Sequence, residues 1–396
     1  MRIVSQIIAI AAVNLRSLGQ RKGNSLVIVT GIAGVVAVLL SVLAMSMGFR
    51  QAIDSDASDD RAIVLAPSAD SEYQSSLARS SLATVGNARN VRRDPRGRPL
   101  VSGETILVVP VMRKSDGSDV NVTLRGVGEQ YFAVRPEMRI VAGRMIRTGT
   151  QELLVGAAAL AQFAGLEIGS QVRLQDGDWT VVGVFRGDGG ARDSELVADV
   201  LTVMSIYKLQ TFNSITVALP SASAFQRFKE EMAADPTLAV DVHSEPEYLA
   251  SASKSVRGML RLVAYVVGSI MSLGALFGAL NSMHSAVAAR SVEIATLRAI
   301  GFGSGALVVA ILLEALLLAL VGAAAGVAIA YLAFNGAVIS TLGGAVWDSQ
   351  LVYALRITPA LVAFVVALAC GLGLIGGIVP ALRAARENVA DALRSV

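Results

Sequence analysis

Four long apolar runs divide the chain before any other feature does. "SLVIVTGIAGVVAVLLSVLAMSMG" occupies residues 25–48 and "LVAYVVGSIMSLGALFGALNSM" residues 262–283. A third run begins near Gly305 and reaches Ala333, interrupted by one charge, Glu314. A fourth extends from about Thr358 to Leu382. Each has the ~20 residues that a helix needs to cross ~30 Å of hydrocarbon, so the pattern predicts four membrane-spanning helices. The first run is longer than the ~7–15-residue apolar core of a cleaved signal peptide, and about two dozen residues precede it, so it reads as an uncleaved anchor.

Between the runs the period of the pattern changes. "MRIVSQIIAIAAVNLRSLGQRK" places Ile3, Val4, Ile7, Ile8, Ala11, Leu15 and Leu18 at helical spacing, with Ser5, Gln6, Arg16, Ser17 and Gln20 largely opposite. That is an amphipathic helix, lying in the membrane interface or packed on a partner protein. About 210 residues separate the first two runs, enough for one or two globular subdomains. There "RAIVLAP" reads as a strand, "DSEYQSSLARSSLATV" as a helix, and "ETILVVPVMRK" and "DVNVTLRGV" as strands joined by the turn "SDGS". Later, "SITVALP" reads as a strand, "SASAFQRFKEEMAAD" as a helix and "LAVDVHS" as a strand. Two β-α-β units of this kind suggest a split sheet. The Gly-punctuated stretch at about 131–205 reads as an inserted small β subdomain with one short helix.

The expected fold is a membrane α-helical protein of four transmembrane helices, with an α+β extracytoplasmic domain inserted between helices 1 and 2. Its expected divisions are an amphipathic helix at 1–24, spans at 25–48, 258–283, 305–333 and 358–382, and the inserted domain at 49–257. A cytoplasmic helix at 284–304, a short connection at 334–357 and a tail at 383–396 complete them.

Composition agrees, since 54% of the 396 residues are hydrophobic and only 16% charged, against ~25% charged in an ordinary soluble domain. Charge then orients the chain. Arg2, Arg16, Arg21 and Lys22 precede the first span, Arg290 and Arg298 follow the second, and Arg383, Arg386 and Arg394 follow the fourth. The 334–357 connection holds only Arg356, with Asp348. The positive-inside rule places both termini and the 284–304 break in the cytoplasm. Lys254, Arg257 and Arg261 run against the rule, but they end a long segment, which is exported regardless of charge. The net charge of +3 reflects these flanks, and nucleic acid is not invoked.

The chemistry available is narrow. One cysteine, Cys370, excludes an internal disulfide, and two distant histidines, His243 and His284, exclude a His-rich metal site. No G-x-x-x-x-G-K-[ST], H-E-x-x-H or G-x-S-x-G occurs, so a P-loop and the usual hydrolase motifs are excluded and no catalytic residue is expected. "GLGLIGG" at 371–377 satisfies G-x-G-x-x-G through Gly371, Gly373 and Gly376, but it lies mid-span without a preceding strand. Gly373 and Gly377, with the G-x-x-x-G pairs Gly274/Gly278 and Gly322/Gly326, read as sites where helices approach closely. "SDGSD" at 115–119 lacks the ligand spacing of a calcium loop and reads as a hairpin turn. Glu314 costs on the order of 3 kcal/mol inside a span. It either faces the bundle, protonated or hydrogen-bonded, and fixes packing, or serves a proton relay, for which the spans offer no second ionisable group at depth.

The break between the second and third runs reads "ARSVEIATLRAIGFGSG". Arg290 and Glu293 are i, i+3 on a helix and can pair. Ile294 and Leu297 project on the same side, which suits either docking into a groove on another protein or a solvated loop.

The stretch "NSMHSAVAARSVEIATLRAIGFGSGALVVAILLEALLLALVGAAAGVAIAYL" resembles the permease signature of FtsX/MacB-like ABC transporters. In that family a cytoplasmic R-x-x-E-I-x-x-L-R-A-I-G helix precedes a span bearing a Glu. Arg290, Glu293, Ile294, Leu297, Arg298, Ala299, Ile300, Gly301 and Glu314 match it. "GIVPALRAARENVADALRSV" resembles the family's C-terminal end through Pro380, Ala381, Arg383, Ala384, Ala385, Ala392, Leu393 and Arg394, with "NV" where a proline is common. "RIVAGRMI", "ELLVGAAALAQFAGLEIGSQVRL" and "WTVVGVF" resemble the MacB-type extracytoplasmic domain.

The resemblance implies a non-catalytic permease subunit of a bacterial inner membrane, with its large domain periplasmic. It implies a separate ABC ATPase dimer that uses ATP and Mg²⁺, neither bound by this chain, and a second permease chain, identical or not. A periplasmic adaptor or lipoprotein and the membrane lipids are further partners. The ATPase contact falls on Arg290, Glu293, Ile294, Leu297, Arg298, Ile300 and Gly301. ATPase closure would push that helix and move the spans, so that motion is delivered to the periplasmic domain. The spans lack the polar lining that a hydrophilic pathway requires. Export or extraction of a hydrophobic, lipid-like or peptide-like substrate is one outcome. ATP-driven activation of a periplasmic partner, such as a cell-wall hydrolase, is the alternative.

Overall fold

The computed structural model describes residues 22–175, 177–340 and 352–386. The expected amphipathic N-terminal helix, apart from its last residues, and the tail beyond Arg386 lie outside the described residues. The chain divides into two compact units, Met1–Met47 with Met259–Ala337 and Leu355–Val396, and Gly48–Gly258 with Val338–Ala354.

Helix α1 (Lys22–Asp54) carries the first apolar run. The second unit then begins with β1 (Arg61–Leu65), α2 (Arg79–Gly86), β2 (Val101–Met112) and β3 (Asp119–Val127). Next come α3 (Tyr131–Val134), β4 (Arg139–Gly143), β5 (Glu152–Gly156), α4 (Ala157–Gln162), β6 (Gln171–Leu174) and β7 (Gly177–Arg186). It closes with β8 (Leu196–Asp199), α5 (Val200–Ile206), β9 (Ser214–Ala218), α6 (Phe225–Ala234), β10 (Asp241–Ser244) and α7 (Glu245–Ala252).

The two β-α-β units interleave. β1 lies between β10 and β9, antiparallel to both, and β9 lies between β1 and β2. This is the split sheet that the pattern predicts. Helices α2 and α6 cover it over a core that includes Ala62, Val64, Val85, Ile215, Val217, Phe228 and Met232. The segment expected as an inserted subdomain does not form a sheet apart. Strand β8 pairs parallel with β3, Arg125 opposite Val197, so one sheet runs β10-β1-β9-β2-β3-β8-β5-β7-β4. Strand β5 is buried on both faces, with Leu153 and Val155 in one core and Leu154 in another. Such a strand reads as a continuous apolar run rather than an alternation.

The first unit is a helix bundle. Helix α8 (Lys254–Ala288) and the short α9 (Ser291–Ala299) precede α10 (Ser304–Phe334). Two short antiparallel strands, β11 (Val338–Ser340) and β12 (Val352–Ala354), belong to the second unit, and α11 (Pro359–Arg386) returns to the bundle. The expected plain connection at 334–357 therefore carries a strand pair. Val352 is buried in the sheet domain's core, and Ser194 Oγ accepts its N–H at 2.9 Å. Four helical segments among the described residues, Ser25–Asp54, Val256–Ala288, Ser304–Phe334 and Pro359–Arg386, are long and apolar enough to cross a membrane. Helix α10 is the central one. Leu307, Ile311, Ala315, Leu318, Ala319 and Ala323 share a core with Ile32, Val36 and Leu40 of α1 and with Val365 and Ala369 of α11.

Candidate functional site

Helix α9 is the short helix that the sequence placed between the second and third runs. It begins after Arg290, whose φ of −118° and ψ of 10° break the helical path from α8. It ends at Gly301, where φ is +104°, a left-handed conformation that glycine adopts without a Cβ penalty. The Gly301 N–H donates to the Arg298 carbonyl and the Phe302 N–H to that of Leu297, both at 3.1 Å, so the last carbonyls are satisfied. Glu293 lies in the first turn and Arg298 in the last, each at the end of the helix dipole that favours its charge.

The helix has two faces. Ile294 and Ala295 are buried, and Ile294 joins the bundle core. Leu297 and Arg298 are half-buried, while Val292, Glu293, Thr296 and Ile300 are exposed. Ile300 is 71% exposed.

Arg290 is buried, 4% exposed, and Glu314 of α10 is buried beside it, 6% exposed. Arg290 Nη2 lies 2.8 and 2.7 Å from the two Glu314 carboxylate oxygens, and Arg290 Nε donates to the Ala286 carbonyl at 3.3 Å. Glu314 thus finds its partner at the α8–α9 junction. A carboxylate within an apolar span needs a countercharge close by, and that need turns Arg290 inward. Arg290 and Ile294, both expected on the partner-facing surface, face the bundle. Of the expected contact residues, Glu293 and Ile300 are the exposed ones, Leu297 and Arg298 are partly so, and Gly301 shapes the end of the helix.

The small residues divide in the same way. A Cβ on Gly326 would stand 2.5 Å from the Ala33 carbonyl oxygen, and one on Gly322 would stand 2.9 Å from that of Val29. Gly373 and Gly377 would bring a Cβ within 2.6 Å of the Ala319 Cβ and 2.9 Å of the Ala315 Cβ. These four permit α10 to touch α1 and α11. Gly274 and Gly278 meet no atom within 4 Å and line an open cleft beside Gly31 and Val35. Within the described chain they therefore pack no helix.

Sequence reasoning missed a second charged cluster, inside the sheet domain. Arg125 makes a two-pronged pair with Glu195 at 2.6 and 2.9 Å and also reaches Glu104 at 2.8 Å and Glu72 at 3.2 Å. Arg135 joins Glu245 at 3.0 Å and Glu104 at 3.4 Å. Arg61 pairs with Glu137 and, at 2.5 Å, with Glu245, and its Nη2 donates to the Asp56 carbonyl. The residues that follow α1 are thereby fastened to those that precede α8. Burial pushes the Asp56 carboxyl up to about 7, against the pull of Arg192, whose backbone N–H it accepts at 3.0 Å. Burial also disfavours the Glu72 carboxylate, but Arg125 and Arg192 outweigh it and hold the group at about 2. Burial drives the Tyr131 hydroxyl to about 12.

With this geometry in view, the sequence can be set beside known proteins. Residues 25–235 match the MacB-like periplasmic core domain, and residues 265–389 match the FtsX-like permease C-terminal domain. The macrolide export ATP-binding/permease protein MacB of Neisseria gonorrhoeae is 28% identical over 305 residues, covering 70% of this chain and 44% of that protein. The pyoverdine export ATP-binding/permease protein PvdT of Pseudomonas fluorescens is 28% identical over 241 residues, 58% of this chain and 35% of that one. The chain thus spans less than half the length of these relatives. The crystal structure of the periplasmic region of MacB from Actinobacillus actinomycetemcomitans aligns with a TM-score of 0.38 at 17% identity, over 49% of this chain and 92% of that one.

Proposed function

The chain belongs to the family of MacB- and FtsX-like ABC transporter permeases, and from that membership we propose that it transmits an ATPase partner's motion to its sheet domain to drive export. The family implies an ABC ATPase as partner, and ATP and Mg²⁺ act there. Helix α9 is the contact, on the cytoplasmic side by the positive-inside rule, and the sheet domain is periplasmic. Two permease chains, identical or different, flank the ATPase dimer, with a periplasmic adaptor or lipoprotein as a further partner.

One observation carries this reading: α9 is two-faced and anchored. One face is buried through Ile294 and Ala295, the neighbouring Arg290 is tied to Glu314 on the central helix, and the other face presents Glu293 and Ile300. A solvated loop obeying the charge rule needs neither the anchor nor an exposed isoleucine. Export is favoured over activation of a periplasmic hydrolase because the matched relatives are named for export of a macrolide and of pyoverdine. The cargo is hydrophobic, lipid-like or peptide-like.

The test substitutes Ile300→Asp, and separately Glu293→Lys, in the full chain expressed with its ATPase. Both residues are exposed, so the variants should remain folded, which their melting in detergent verifies. The ATPase should co-purify at least tenfold less, as expected when a contact anchor is lost. Undiminished co-purification with both variants contradicts the assignment.

A further inference from the structure

The last turns of α8 and α11 enclose a cleft of ≈ 540 Å³, at the same end of the bundle as α9. Val287, Val379 and Leu382 supply apolar wall, and His284, Arg383 and Arg386 supply polar groups. Among the described residues, no carboxylate lines it. Arg383 Nη1 lies 2.7 Å from His284 Nε2. A guanidinium only donates, so the imidazole accepts through Nε2 and carries its proton on Nδ1. That contact holds one guanidinium at the cleft and leaves a ring N–H as a second kind of donor. The apolar wall continues along α11 into exposed Ile375 and Ile378.

We propose that this cleft binds the phosphate headgroup of an anionic membrane lipid, with an acyl chain lying along Val379 and Leu382. Charge complementarity selects the headgroup, because two arginines with no acidic wall residue among the described residues favour a phosphate diester that carries net charge over a zwitterionic one. The apolar half of the wall selects a lipid over a soluble anion, since only an amphiphile covers both surfaces at once. The position agrees, because basic side chains at the end of a span sit at headgroup level. The inference goes beyond the proposed function and does not depend on the ATPase contact.

Native mass spectrometry of the delipidated full-length chain in detergent tests it, with phosphatidylglycerol and phosphatidylcholine of matched acyl chains as probes. One phosphatidylglycerol should be retained per chain, in preference to phosphatidylcholine. Arg383→Gln with Arg386→Gln should lower that retention about tenfold or more, and lysine at both positions should restore most of it. Both arginines are exposed, so the variants should fold, which an unchanged melting temperature verifies. Equal retention of the two lipids, or retention unaffected by the double substitution, overturns the proposal. So does binding that appears only after the residues beyond Arg386 are deleted, because the chain itself would then fill the cleft. Displacement of the lipid by millimolar inorganic phosphate would instead reveal a site for the free anion.

Discussion

At the scale of single residues, two buried carboxylates have opposite settings. Glu314 lies against Arg290 with both oxygens within 2.8 Å of one guanidinium nitrogen. Removing either partner would leave an unpaired charge in an apolar bundle, a loss of about 3–5 kcal/mol. Among the described residues Asp56 has no such pair; burial raises its carboxyl to about 7 despite Arg192. Its folded-state value lies above the unfolded one, so the folded chain holds its proton more tightly. Asp56 therefore favours folding at low pH, and that contribution fades as pH rises toward 7. Glu72, held at about 2, works in the other direction and contributes stability that is lost only as pH falls below the ordinary carboxylate range. Asp56→Asn should stabilise the chain by about 2–3 kcal/mol more at pH 8 than at pH 5, read as melting temperature in detergent at the two pH values. An equal shift at both would show that Asp56 is ionised throughout. None of these partnerships was legible in the sequence. Arg290 lies 24 residues from Glu314 and only three from Glu293, and Arg125 lies 53 residues from Glu72. Local spacing points to the nearer acid, whereas burial decides in favour of the distant one.

At the scale of elements, the sequence was informative wherever the signal was local. The apolar runs gave α1, α8, α10 and α11 because nothing but a helix satisfies its own backbone in hydrocarbon. "SDGS" marked the turn between β2 and β3. The parallel pairing of β3 with β8 carried no such mark, since the partners are joined by a long crossover. The glycines show the same limit, because G-x-x-x-G identifies a helix able to approach another without saying whether a neighbour is present. Gly322 and Gly326 have one and Gly274 and Gly278 do not. Gly326→Ala would force a methyl to 2.5 Å from the Ala33 carbonyl oxygen and 2.8 Å from the Val36 Cβ, costing about 1–3 kcal/mol. Gly274→Ala should change stability by less than about 0.5 kcal/mol in the isolated chain. Thermal unfolding of the two variants in detergent checks the contrast, and equal losses would contradict the helix contacts described.

At the scale of the whole molecule, the chain joins a four-helix bundle to one sheet domain. Within that domain Arg61 of β1 is fastened to Glu245 at the start of α7. The four long helices and the sheet domain between the first two were readable because each rests on composition over tens of residues, whereas the helix expected at 284–304 is divided between the end of α8 and the nine residues of α9. Which surfaces do work was not readable, because α9 shows its solvent face only once Arg290 and Ile294 are seen to be turned inward. In the proposed mechanism the work enters at α9 and passes to α10 through the Arg290–Glu314 pair. The most direct measurement is ATP hydrolysis by the reconstituted complex in proteoliposomes, comparing wild type with the double variant Arg290→Met/Glu314→Leu. Replacing both charges by apolar groups of similar size preserves the fold and leaves Glu293 and Ile300 untouched. The ATPase should still bind the double variant, while stimulation of its hydrolysis by the permease falls at least tenfold. Full stimulation in a complex that lacks the pair would contradict it.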